Sequence, residues 1–188
     1  MTRIRPTRDQ ALVLLQEYTE NPSLLAHAFA VEAAMRYMAR KHGADEDQWG
    51  IVGLIHDLDY ERYPEAHCQQ VKRILDEHGW PEEYSRAALA HGWGICTDVE
   101  PVSLLEKTLY AVDELTGFIA ACALVRPSRS VGDLQVKSVL KKWKQASFAA
   151  GVNRGVIERG AAMLGVPLEE LIADVIAALR EVHERLGL

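Results

Sequence analysis

Proline, glycine and side-chain caps divide this chain of 188 residues into a succession of segments with helical period, and no stretch of useful length alternates with the period of a strand. Pro6 and Thr7 open the first segment, in which Leu12, Leu15 and Tyr18 carry the apolar spacing. Asn21 then offers an N-cap with Pro22 at the first helical position, and Gly43 supplies a stop. Asp45 or a neighbour can cap a third segment, where Trp49, Val52 and His56 recur at i, i+3 and i+7; they share a face, so His56 is expected to point inward. Pro64 and Pro81 mark helices expected over Glu65 to His78 and Glu82 to His91, and Ser103 caps a long apolar helix from Leu104 to Leu124. Further helices are expected over Asp133 to Ala146, Asn153 to Leu164 and Leu168 to Leu186. The punctuation predicts an all-α fold, one helical-bundle domain over 1–188, and an apolar share of 48% suffices for a substantial core.

Charge narrows the partners. A net charge of −6 argues against a nucleic-acid polymer or an anionic membrane surface, both of which are polyanions. The start, Met1 to Arg8, is charged but has no apolar run behind it, so neither a signal peptide nor an anchor is expected there. The longest apolar candidate, Leu115 to Val125, falls short of the ~18 residues of a membrane span. Cys68, Cys96 and Cys122 are odd in number and lack a CxxC spacing, which predicts reduced, packing thiols in a cytoplasmic protein.

The chemistry gathers around His56-Asp57, adjacent metal-capable side chains at the end of an apolar segment. His27 lies upstream and Asp113 downstream, each within its own helical segment and beside apolar neighbours. A divalent metal needs three or four such donors converging, and in a bundle they come from different helices facing one axis. Adjacent helical residues point about 100° apart, so His56 and Asp57 can both ligate only near a helix end. The polar run Asp59-Tyr60-Glu61-Arg62 predicts one there. Asp113, with no cation at i±4, would otherwise be a costly buried charge.

In order and spacing, His27, His56-Asp57 and Asp113 resemble the H…HD…D signature of the HD-domain metal-dependent phosphohydrolases. The resemblance covers about 23–118 as signature, with a helical extension over about 130–188. The segments Leu54 to His67 and Lys137 to Arg154 look similar to a bacterial subgroup of HD hydrolases, while the frequent His-Asp-Ile-Gly extension is replaced by His56-Asp57-Leu58-Asp59. The resemblance implies an HD-type helical bundle that binds a divalent metal ion and hydrolyses a phosphate ester of a nucleotide or another small phosphorylated metabolite. In that chemistry a metal makes a water nucleophilic near neutral pH and offsets phosphoryl charge. With two carboxylates in the set, Mn²⁺, Fe²⁺, Co²⁺, Ni²⁺ and Mg²⁺ suit as well as Zn²⁺.

Other residues supply the remaining expectations. His67 and His91 are candidates for a second metal or the substrate, whereas His42, His78 and His183 sit among charges at helix ends and read as solvated. Asp59, ahead of Glu61, is the candidate general acid. Lys137, Lys141 and Lys144 form a basic helical face that Arg126, Arg129 and Arg154 could join to hold a substrate phosphate, although lysines on such a face commonly serve solubility. Two alternatives accompany the hydrolase: an HD-type di-iron oxygenase, which needs His67 or His91 and one more ligand to join the quartet, and a non-catalytic metal-binding helical module.

Overall fold

A computed structural model describes residues 5–188, and the described residues form helices and no strand. Where the caps are strong, the expected boundaries match. Thr7 closes a capping box with Gln10 at the start of α1 (Arg8–Tyr18). Asn21 accepts from the Ser23 N–H ahead of α2 (Pro22–His42), which ends at Gly43 in the left-handed conformation. Asp45 accepts from the Gln48 N–H to start α3 (Glu46–Ile55). Ser103 and Glu106 form the capping box of the long apolar helix, which is α6 once α4 (Gln69–Glu77) and α5 (Glu82–His91) are counted.

Other boundaries shift for local reasons. Only a 3₁₀ turn, Pro64–Ala66, follows Pro64, and the chain reverses at Cys68, whose φ is +68°, before α4 begins. The helix expected from Glu65 is thereby split, because the Asp59 carboxylate accepts from the Gln70 and Val71 N–H groups and caps α4 from outside. The C-terminal part shortens to α7 (Val136–Trp143) and α8 (Arg154–Leu164), and the last expected helix breaks at Val182 into α9 (Leu168–Glu181) and α10 (His183–Leu186).

Two long helices organise the bundle. α2 packs on α3, α6 and α9, while α6 packs on α2, α5, α8 and α9. Val31, Ala34, Met35 and Met38 of α2 and Leu109, Val112, Leu115, Phe118 and Ile119 of α6 are buried. α4 and α5 form a helical hairpin that packs through α5 on α6 and α3. Glu32, only 5% exposed, is held by Arg8 and Arg36, so the charge that α2 buries is paired. Among the described residues no helix is long and apolar enough to cross a membrane.

The hairpin also overturns the expectation for the cysteines. It brings the residue before α4 against the loop after α5, and Cys68 and Cys96 are joined as a disulfide. Cys122 is the one free, buried thiol, with burial raising its pKa to about 11.

The α6–α8 contact is close enough to test. A Cβ added at Gly160 would lie 2.5 Å from Ala111 Cα, against backbone that cannot turn aside. Gly160→Ala is expected to lower the unfolding free energy by about 1–3 kcal/mol, as overpacking does, despite its better helix propensity. Urea denaturation followed by circular dichroism measures this; an unchanged or raised midpoint would contradict the packing described.

Candidate metal centre

Five segments deliver six side chains to one place. His27 comes from the first turns of α2 and Asp113 from the middle of α6. His56 is the C-cap of α3, and Asp57 follows where the helix opens into turns. That helix end lets neighbours about 100° apart both face inward. His67 arrives from the turn before α4 and His91 is the last residue of α5.

Asp57 lies at the middle of this group. Its Oδ2 is 3.7 Å from His27 Nε2 and 3.4 Å from His56 Nε2. Its Oδ1 is 3.2 Å from His91 Nε2 and 3.5 Å from His67 Nε2. Asp113 Oδ1 lies 2.9 Å from His27 Nε2 and 3.2 Å from His56 Nε2. One carboxylate therefore presents one oxygen to each of two histidine pairs. Three-donor groups that could hold a metal ion occur on both sides of it: His27, His56 and Asp113 on one, His56, Asp57 and His91 across the middle, and His67, Cys68 and His91 on the other. The last includes a sulfur engaged in the disulfide.

The imidazoles are oriented from behind. His56 Nδ1 donates to the Gly53 carbonyl at 2.8 Å, His91 Nδ1 donates to the Ala88 carbonyl, and His67 Nδ1 donates to Asp59 Oδ1 at 2.8 Å. Each Nε2 thus faces the centre, the arrangement in which an outer partner holds a metal-ligating histidine. His56 is fully buried, and its Nε2 has no aligned hydrogen-bond partner. A buried nitrogen left unsatisfied is costly, and an ion coordinated by that atom would remove the cost. His27 and Asp57 keep 24% and 23% of their side-chain surface exposed, which leaves room for a further ligand.

Electrostatics follow from this crowding. Burial disfavours charge on His56, but Asp57 and Asp113 outweigh it and hold its pKa well above the ordinary 6.5. His91 is likewise raised against its burial, by its contact with Asp57. Burial also opposes ionisation of Asp57 and Asp113, yet the imidazoles keep both below the ordinary carboxylate range, with His56 contributing most.

The structure reassigns several residues. Asp59 is fully buried with one oxygen on His67 and the other on the α4 N-terminus, so it does not reach the cavity as a general acid and instead positions His67. Glu61 accepts from the Glu20 and Asn21 N–H groups at the entry to α2 and is likewise engaged elsewhere. His42, His78 and His183 are exposed, as expected. Lys137, Lys141 and Arg154 are absent from the cavity wall. Arg154 donates to the carbonyls of Trp143, Gln145 and Phe148 and lies over the Phe118 ring, clamping the loop after α7. Arg126 pairs with Asp133. Lys137 and Lys141 are exposed, consistent with a solvated face.

The centre opens into a cavity of about 360 Å³ whose wall also includes Tyr60, Ile95, Glu114, Gly117 and Val152. Glu114 was not singled out in the sequence. Its one signal is adjacency to Asp113 near the end of a helical turn, which says nothing of direction. In the fold one Glu114 oxygen accepts from the Asn153 N–H at 3.3 Å, and burial raises its pKa.

No protein family, no curated protein and no solved structure matches this chain.

The charge arrangement sets a pH response for chelated protein. His56 and His91, raised in the fold, contribute stability that is complete below 6.5 and is lost as pH climbs through their folded values. Asp57 and Asp113, lowered in the fold, contribute stability present above 3.8 and lost as pH falls through their folded values. In excess chelator the melting temperature is expected to peak between about pH 4 and 6.5 and to decline as pH rises above that window. Thermal melts across that range test it, and a melting temperature climbing steadily into alkali would contradict it.

Proposed function

We propose that this chain is a metal-dependent phosphohydrolase that holds two divalent ions and hydrolyses a phosphate ester of a small metabolite. The observation that carries the reading is Asp57, whose two oxygens face separate histidine pairs. His27, His56 and Asp113 with Asp57 Oδ2 make one donor set, and His67 and His91 with Asp57 Oδ1 make the other. All donors are imidazole or carboxylate, the set that suits exchangeable ions such as Mn²⁺, Fe²⁺, Co²⁺ or Zn²⁺. Bound ions supply a nucleophilic water near neutral pH and neutralise charge on the phosphoryl oxygens.

The chain's own residues do the rest. Asp59 fixes the His67 imidazole so that Nε2 faces inward, while the Gly53 and Ala88 carbonyls do the same for His56 and His91. Glu114, a carboxyl group on the cavity wall whose burial favours the protonated form, takes the leaving-group proton role that the sequence suggested for Asp59.

The joining of His67 and His91 also favours the second reading, an HD-type di-iron oxygenase, since those were the residues it required. Oxygen consumption by iron-loaded protein would support the oxygenase; phosphate release with Mn²⁺ or Co²⁺ under anaerobic conditions would support the hydrolase.

Elemental analysis of metal-loaded protein is expected to find about two ions per chain, both lost in Asp57→Ala. Asp59→Ala, which frees His67 without touching a donor atom, is expected to weaken one ion about 10–100-fold and leave the other. If Asp57→Ala retained two ions, the shared-carboxylate reading would be wrong. If both ions bound but no phosphate ester were cleaved, the hydrolase assignment would fall while the metal centre stood.

A further inference from the structure

The cavity beside the metal centre is short of positive charge. Among the described residues, no lysine or arginine lines it. The cations that sequence suggested for this purpose are elsewhere, with Arg154 on backbone carbonyls and Arg126 on Asp133. Two divalent ions less the charges of Asp57 and Asp113 leave two positive charges, which a single dianionic phosphate monoester cancels. Each further phosphate of a di- or triphosphate would add negative charge with no lysine or arginine on the wall to meet it.

A second cavity, about 370 Å³, adjoins the first and shares His27 and Gly117 with it. Its walls are mostly apolar, with Ala26 and Ala30 from α2, Ala120 and Leu124 from α6, and Leu186 and Leu188 from the last residues described, while Ser23 and Thr116 add hydroxyls. His27 is its one titratable lining residue. Leu124 remains 41% exposed, so apolar surface there lies open to a ligand. Gly117 stands at the junction. Glycine in mid-helix is destabilising against alanine, and close approach of a ligand to backbone is one of its uses. A Cβ at Gly117 would meet nothing within 4 Å, so helix packing does not account for the missing side chain. Gly117 lines both cavities.

We infer that the substrate is the phosphate monoester of an alcohol with an apolar chain, its phosphate at the His27–His56–Asp57–Asp113 side of the centre and its chain lying past Gly117 in the groove between α2 and α6. The inference rests on the phosphohydrolase reading for the bond that is cleaved. The groove and the charge balance can be measured without cleavage.

The test uses straight-chain alkylphosphonates, which bind as phosphate monoesters do but carry a P–C bond that is not hydrolysed. Titration calorimetry on Mn²⁺-loaded protein is expected to show the dissociation constant falling about fourfold per methylene from ethyl to hexyl. Adenosine triphosphate is expected to bind more weakly than hexylphosphonate. In Gly117→Leu, checked for unchanged metal content and helical circular dichroism, the chain-length dependence is expected to flatten. The inference is overturned if affinity is independent of chain length, if no alkylphosphonate binds, or if Gly117→Leu leaves the dependence intact. It is equally overturned if sedimentation shows the groove buried between two copies of the chain. Chain-length-dependent binding of hexylphosphonate without phosphate release from hexyl phosphate would uphold the groove and sink the hydrolase reading alone.

Discussion

A single carboxylate, Asp57, sits among four imidazoles, and the arrangement of the N-terminal two-thirds of the bundle follows from satisfying it. Its surroundings lower its pKa while raising those of His56 and His91, so without a metal the cluster is a set of mutually dependent charges. Such a cluster is tolerable only if each member keeps its position. The fold provides this from behind: backbone carbonyls hold His56 and His91, and the buried Asp59 holds His67. Moving α3 or α5 by a turn would leave an imidazole nitrogen or a carboxylate oxygen unpaired in a place water reaches poorly.

That dependence explains what could and could not be read in the residues. The all-α architecture was legible because the caps at Thr7, Asn21, Asp45 and Ser103 act within a few residues of chain, where sequence and geometry coincide. The convergence of His27, His56, Asp57 and Asp113 was legible because residue type and order carried it, and the inward turn of His56 followed from its face on α3. The direction of Asp59 was not. It lies beyond a helix end, where no period governs side-chain orientation, and its role depends on α4 arriving with unpaired N–H groups.

The basic segment misled for a related reason. Lysines on one face of a helix and a nearby arginine look alike whether they await a phosphate or a carbonyl, and only the loop after α7 shows that Arg154 is already engaged. The Cys68–Cys96 pairing was hidden because the two lie 28 positions apart with a helical hairpin between them. Both misreadings concern contacts made by loops, whose geometry is set by the elements around them rather than by their own spacing.

The candidate ligands are far apart along the chain: His27 and Asp113 are separated by 86 residues yet lie in contact. Closing so long a loop costs entropy before neighbouring contacts repay it. An ion held between them would act as a reversible cross-link whose strength is set by free metal concentration. For a chain built this way, metal supply would govern how much of it is folded at any moment.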